Sequence, residues 1–488
     1  MKKRLVSLLL CAALLLTLAP AALADNMEVT IFGLPVTVPE SDPVIPELEK
    51  RLGIEINLES TAEDESSLVA RIAGGNVPDV FRVSNINNLK SYYESEVLLD
   101  LTPYLDQMPH LKATFTELEW GRVSFDGGIY AIPRRGEENY NCWYIRADWL
   151  EKLNMAAPET FEQLLDVAVA MNAADFDGNG KQDTYAISGT YDSTYNRSAF
   201  DGFYTAYGVA GPADMLIRDG RAVLSCTLPE FRLALETIRT FVEAGVVDPE
   251  VLSNTNSTMI EKMATGKVGI AYGGWANYNK PAHVEQLRAV YPDANWMPMA
   301  KNIATEYGVS GAAKSASGYD AVYAINADLV REPEKLEAVL KLFDYLATEE
   351  GMRLMSFGLE GVHYEMDGDT VVKLPAMDEL TYGYGIQFLG RDDMLYCMTK
   401  FANCAEIIKY CAEELPMVYH YGAMVEQPEG VNVADIKAYV LEQTAQFIFG
   451  SRPMAEYDDF LASLQSTYNL QAYLDDATAQ LKEIGYIK

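Results

Sequence analysis

A strand–helix–strand–helix–strand run near the start of the chain constrains the fold more than any other feature. β-branched and apolar residues over 29–32, 54–58 and 80–83 read as strands. The first helix between them presents Val44, Ile45, Leu48 and Leu52 on one face, and the second, over 67–73, stops at Gly74 and Gly75. Strands joined this closely by helices predict a parallel sheet with right-handed crossovers. Ligands gather at the carboxyl ends of such strands. That rule directs attention to the loop after Phe32 and to Ser84 and Asn85 after Val83, which are candidates for hydroxyl binding or simply polar loop residues.

The residues ahead of this run have the order of an export leader. Met1, Lys2, Lys3 and Arg4 make a basic start, 5–18 is apolar, and Ala22, Leu23 and Ala24 have the small-x-small form of a cleavage site. The apolar stretch is short for a membrane span and no later one approaches that length. The sequence therefore predicts an exported, soluble chain cut after Ala24, with an uncleaved anchor as the alternative. Cys11 comes too early, and lacks the small residue before it, to serve as a lipid-attachment cysteine.

Without Lys2, Lys3 and Arg4 the 38 basic residues become 35, against 71 acidic ones, and the net charge moves from −33 to −36. Such a balance repels phosphate backbones and anionic lipid, so nucleic acid and membrane surfaces are poor partners. A hydrophobic content of 49% is ample for large cores and argues against disorder. Length gives about three units of roughly 150 residues, a prior that two large domains also satisfy. Beyond the leader stand Cys142, Cys226, Cys397, Cys404 and Cys411, an odd number that argues against a disulfide framework. The last three recur every seven residues in a helical-looking stretch, which puts them on one face about 10 Å apart, too far to bridge each other. They read as buried structural thiols.

Oxygen ligands fall on every second position of the Gly-rich run 175–183. Asp175, Asp177, Asn179, the Lys181 carbonyl and Asp183 take positions 1, 3, 5, 7 and 9 of an EF-hand-type loop, with Gly180 at its turn. Position 12, normally a bidentate Glu, is Ala186. The sequence thus predicts a structural Ca2+ site without a sensor's second helix, and the alternative is an Asp- and Asn-rich turn holding no metal. Ahead of the loop, Thr160 and Gln163 are spaced as a capping box for a helix with Phe161, Leu164, Leu165 and Ala168 on one face. A strand over 184–188 leaves the loop. Further amphipathic helices are expected over 229–246 and 332–347, and the chain from Met394 reads mostly helical, closing with 468–487.

By Ala131 the residues begin to resemble a known family. The run Gly128-Ile-Tyr-Ala-Ile-Pro133, the stretch from Trp143 to Met155, Pro158-Glu-Thr160 and the acidic loop are similar, in this order, to the family 1 extracellular solute-binding proteins of sugar ABC transporters. Gly75-Asn-Val-Pro-Asp-Val-Phe81, Thr265-Gly-Lys-Val-Gly-Ile270, Gly358-Leu-Glu-Gly-Val-His-Tyr364 and Phe447-Ile-Phe-Gly450 extend the similarity over nearly the whole chain after the leader. It is greatest to the large calcium-loop members, such as alginate-binding and lipoprotein-type oligosaccharide-binding proteins. The resemblance implies an α/β, type II-like periplasmic-binding-protein fold. Each of two lobes would be a mainly parallel sheet flanked by helices, and crossing hinge segments would join them. Residues 25–137 and 297–375 would form lobe 1, while 138–296 and 376–488 would form lobe 2 with a helical C-terminal extension. The resemblance also implies a monomer that holds an oligosaccharide in the cleft by hinge closure and docks on a permease. Two departures stand out: no lipid-attachment cysteine is present, and Thr184 stands where an acidic residue would follow the ninth loop position. Both oxygens of Asp183, or water, would then complete the metal shell.

Sugars offer polar edges and apolar C–H faces, so their sites combine aromatics with carboxylates, amides and Arg. Trp275, flanked by Gly273 and Gly274 after a strand over 268–271, occupies the place where the resemblance puts a stacking aromatic, with a core Trp as the alternative. Arg134, Arg135 and Glu137 follow the strand at 131–133 near the expected hinge. Thr190 and Tyr191 follow the strand after the acidic loop, and Tyr382 and Tyr384 lie in a Gly-rich segment that could line a subsite. Trp149 reads as structural. Arg134 and Arg135 are the evident cations for an acidic sugar, so a neutral oligosaccharide is expected. The alternative, an exported glycoside hydrolase or lyase, has no motif behind it. There is no His-Glu-x-x-His, Gly-x-Ser-x-Gly or phosphate loop, and His110, His283, His363 and His420 form no spaced pair. With 71 acids, carboxylate pairs carry no specificity.

Overall fold

The computed structural model describes residues 27–34, 37–60, 66–84, 86–135, 141–176, 179–181, 183–191, 198–299, 303–316, 321–380 and 388–488. The two larger sheets use strands β1 (Met27–Leu34), β2 (Ile54–Ser60), β3 (Val80–Val83), β4 (Ile132–Pro133), β5 (Asn141–Arg146), β6 (Tyr185–Ser188), β7 (Val268–Gly274), β8 (Trp296–Pro298) and β9 (Val322–Ile325). The order in the first sheet is β2-β1-β3-β9-β4 and in the second β8-β5-β7-β6. The opening run folds as its periodicity predicts: β1 pairs in parallel with β2 and β3, and helices Val44–Leu52 and Ser66–Ala73 make the crossovers.

The two-lobed α/β fold expected from the sequence is observed, but its sheets are mixed rather than mainly parallel. β9 runs antiparallel to β3 and β4, and β5 runs antiparallel to β7 and β8, while β7 and β6 are parallel. The cause is the way the chain crosses between lobes. A strand that arrives from the other lobe enters at the edge where the resident parallel strands end, so it must run opposite to them. Val322, the first residue of β9, pairs with Val83, the last of β3, and Asn141, the first of β5, pairs with Gly274, the last of β7.

Three apolar cores follow from these sheets. The first joins Val29, Ile31, Phe81 and Ile132 to Tyr323 and Phe343, and it reaches Phe388 and Leu389. The second sheet buries both faces, which explains why all six residues of β5 are buried. Side chains alternate along a strand. Trp143 and Ile145 face a core shared with Phe203, Phe231 and the C-terminal helices Val433–Ile448, Tyr457–Ser466 and Leu470–Glu483, whereas Cys142 and Tyr144 face a third core built from 259–296 and 357–415. Met299 and Ile303, which lie past the lobe boundary read at 297, belong to the second core, and Tyr364 and Val371 belong to the third.

Local differences have local causes. Thr160 caps helix Phe161–Ala173 by accepting from the Gln163 N–H at 3.2 Å. The Gln163 side chain accepts from Glu159 instead of Thr160, so the box closes one residue early. The buried face of that helix is Leu164, Val167, Ala168 and Met171, rotated from the expected stripe. The cysteine stretch is not one helix: Cys397 lies in helix Asp393–Lys400, Cys404 ends the short turn Ala402–Cys404, and Cys411 lies in helix Ala405–Glu413. All three are buried, and Cys411 meets Cys142 of β5 with their sulfurs 3.7 Å apart. The tail is not wholly helical either, because Met417–His420 pairs in parallel with Ala312–Ser315.

Candidate ligand cleft and acidic loop

Sheet topology fixes where the lobes face one another. β3 and β4 end, and β9 begins, at one edge of the first sheet. β6 and β7 end, and β5 begins, at one edge of the second. Both edges are those through which the chain crosses, from Arg135 towards Asn141 and towards Ala321. The loops that carry ligand contacts in α/β sheets therefore line the space between the lobes. Contacts also bridge the lobes directly. Lys90 pairs with Glu426 at 2.7 Å, and the Arg122 guanidinium donates to the Ala316 carbonyl at 2.9 Å while lying 5.3 Å from the centre of the Tyr486 ring.

Ser84 is exposed at the end of β3. Thr190 and Trp275 leave the same edge of the second sheet, since Ser188 and Ala271 are paired. Both are buried, with Trp275 only 4% exposed. Its ring meets Phe401 edge-on at 5.2 Å, so Trp275 backs Phe401 rather than presenting an open face. Tyr191 is turned into the second lobe, where its hydroxyl donates to the Leu441 carbonyl at 2.6 Å. Arg135 sits on the crossing segment; its N–H bonds the Leu389 carbonyl and its guanidinium the Thr114 carbonyl. Arg134 is buried. Asn85, Glu137, Tyr382 and Tyr384 lie outside the described residues.

Sequence reasoning missed a group assembled around Phe401. The Lys280 ammonium lies 5.2 Å from the centre of the Phe401 ring, and Arg391 lies 3.5 Å and Lys400 5.6 Å from that of Tyr396. Lys373 joins by donating to the Lys400 carbonyl at 3.1 Å. Arg391 and Lys400 flank one helix, Asp393–Lys400, but Lys280 and Lys373 come from two other segments, so no local pattern announces the group.

In the acidic loop the Asp175 carboxylate accepts from the backbone N–H groups of Asn179 at 3.2 Å and Gly180 at 2.8 Å, folding the run back over its first residue. Gly180 takes φ +70°, the left-handed turn its position requires. The Asn179 amide bonds Asp183, and with Lys267 it holds that carboxyl below the usual range, so Asp183 is ionised at neutral pH. Asp177 and Gln182 lie outside the described residues. Among the described residues no group of three acidic, His or Cys side chains is placed to hold a metal. The oxygens that are described, from Asp175, Asn179 and Asp183, are of the hard kind calcium takes. Phe176 stacks on Trp149 at 3.9 Å and 8°, which anchors the loop to the second core and gives Trp149 the structural role expected for it.

Residues 38–353 match the family model described as bacterial extracellular solute-binding protein. The chain belongs to this family. Its members bind solutes and are not enzymes. The solute-binding chain is 25% identical over 338 residues to the polygalacturonan/rhamnogalacturonan-binding protein YtcQ of Bacillus subtilis, covering 68% of this chain and 65% of that protein. It is 24% identical over 346 residues to Lipoprotein LipO of the same organism, covering 68% of this chain and 66% of LipO. The chain thus spans just under two thirds of the length of these curated relatives. Among solved structures, the Streptococcus pneumoniae ABC-transporter substrate-binding protein FusA, as an EF-hand mutant with fructo-nystose, superposes with TM-score 0.71 at 18% identity, covering 95% of this chain and all of that one. The alginate-binding protein AlgQ2 without calcium ion gives TM-score 0.68 at 18% identity, covering 94% and 98%. No described helix is long and apolar enough to cross a membrane.

Proposed function

We propose that this chain is the exported substrate-binding component of an ABC transporter, capturing an oligosaccharide between its lobes and delivering it intact to permease subunits. The observation that carries the reading is topological: the ligand-bearing edges of both sheets are the edges joined by the crossing segments. Rotation about those segments then opens or closes the loops on a guest. Ser84 and Asn85 from the first lobe, Thr190 and the Trp275–Phe401 pair from the second, and Arg135, Glu137 and Tyr384 near the crossings would make the contacts. A ligand that binds the closed form better shifts the open–closed balance towards it. The relatives named for carbohydrate binding support the substrate class, and the family's extracellular character supports the leader at 1–24. The protein would act as a monomer.

The reading includes one structural calcium, held by Asp175, Asp177, Asn179, the Lys181 carbonyl and Asp183. The backbone bonds onto Asp175 and the ionised Asp183 are what that arrangement needs. A calcium there would brace the end of helix Phe161–Ala173 against β6 without touching sugar. Small-angle scattering of the full exported chain with a panel of oligosaccharides tests the capture reading. A cognate glycan should reduce the radius of gyration and be recovered uncut. Unchanged dimensions with every saccharide, or new reducing ends or unsaturated products, would overturn it.

A further inference from the structure

Lys280, Arg391 and Lys400 stand around the Tyr396 and Phe401 rings in a protein with 71 acidic and 38 basic residues. Bringing like charges together in a half-buried place is unfavourable unless an anion relieves it. Arg391 has Asp393 at 2.8 Å and Lys373 has Asp378 at 2.6 Å, but among the described residues no carboxylate lies within ion-pair distance of Lys280. The position is informative as well. Lys280 follows the short helix Trp275–Asn279 that leaves the ligand edge of the second sheet. Arg391 follows Gly390, which lies so close to Arg135 that a Cβ there would come within 2.3 Å of the Arg135 carbonyl oxygen. The cluster therefore sits where the crossing segment meets the second lobe's ligand edge, and Lys280, Lys400 and Phe401 are each partly exposed.

We propose that the cleft takes an oligosaccharide bearing carboxylates, with Lys280, Lys400 and Arg391 around the Tyr396 and Phe401 rings as its anionic subsite. This rests on the capture reading above and replaces the neutral sugar expected from sequence. A uronate ring suits the pairing: its carboxylate takes charge-assisted bonds from the cations while its C–H face lies on an aromatic. The overall negative charge does not forbid this, because exposed charges beyond about 8 Å are largely screened at physiological salt. Burial, reinforced by Arg391, Lys280 and Lys373 and opposed by Asp378, lowers the Lys400 ammonium to about 8. A bound carboxylate reverses that shift, so acidic ligand should be taken up with a proton near pH 8.

The test is calorimetry on the full exported chain with uronate trisaccharides (galacturonate, mannuronate and guluronate) and their uncharged methyl esters. An acid should bind about tenfold or more tighter than its ester. Lys280→Met and Lys400→Met should each weaken the acid about tenfold and leave the ester unchanged. Lys280→Arg should restore binding, and Lys400→Met should abolish the proton uptake seen by comparing two buffers of different ionisation enthalpy. Equal or tighter binding of esters, or variants that weaken acid and ester alike, would overturn the proposal. If neutral glycans close the lobes while uronates do not, the anionic subsite falls and the capture reading stands. If no saccharide closes them, both fall.

Discussion

A buried Asp–Lys pair anchors each lobe, but the two pairs sit at opposite ends of strands that run towards the cleft. In the first lobe Asp79 precedes β3, accepting from the Thr30 N–H at 2.9 Å and from Lys335 of helix Pro333–Leu346 at 3.2 Å. In the second, Asp248 stands at the end of β6, where it takes Ser188 at 2.6 Å, Lys262 at 2.7 Å and Asn254 at 3.0 Å. Asn254 also holds the Gly189 carbonyl at 3.0 Å. The first lobe is thus fastened at the base of its strand, far from the ligand edge, and the second at the rim itself. In the proposed capture the second lobe would present a pre-set half-site to the first, so less ordering would remain to be done on binding.

The largest expected effect tests that contrast. Asp248→Ala leaves Lys262 with only the exposed Glu250 at 2.8 Å as counter-charge and takes the acceptor from Ser188 and Asn254, so it should cost about 3 kcal/mol in urea unfolding, together with lost ligand affinity. Asp79→Ala should cost about 1–2 kcal/mol and leave affinity alone. Equal losses of affinity would erase the distinction. Burial pushes the Asp248 carboxyl up, but bonds from Lys262, Ser188 and Asn254 outweigh it and hold the group below its ordinary 3.8. Its stabilisation is therefore complete above about 4 and lost as pH falls through the lower folded value. Asp248→Asn should flatten this acid limb.

Calcium comes next. Free metal at one hundred times its Kd should add about 2.7 kcal/mol to the second lobe's stability. Chelator should lower the melting temperature of the wild type and leave Asp175→Asn or Asp183→Asn unmoved. If chelation loosens both lobes alike, the loop does not act locally. Smaller still is the Lys90–Glu426 bridge, exposed enough to be worth up to about 1 kcal/mol. Lys90→Ala and Glu426→Ala should each weaken glycan binding up to about fivefold by favouring the open form. A double-mutant cycle with no coupling would remove the bridge from closure. An alkaline trend is also expected: with the folded Lys400 near 8 and the unfolded near 10.5, stability should rise with pH between those values, and Lys400→Met should abolish the rise.

What was legible in the sequence was what consecutive residues encode. The alternation from Val29 to Val83 and the acidic loop's folding onto Asp175 depend on spacings of a few residues. What was not legible depends on partners more than a hundred residues away. Cys142 touches Cys411, Tyr191 spends its hydroxyl on Leu441, and Lys280 lies over the Phe401 ring. The antiparallel course of β5 and β9 belongs with these, because direction is set by where the chain crosses and not by the strands' own composition.

β9 lies between β3 and β4, yet it is not made until residue 325. A growing chain that stops short of that point has every other strand of the first sheet and no means of joining the last two. Truncated copies should therefore stay unfolded and protease-sensitive, and neither lobe can be expressed as a simple contiguous fragment. Completion of the first sheet therefore waits for two thirds of the polypeptide.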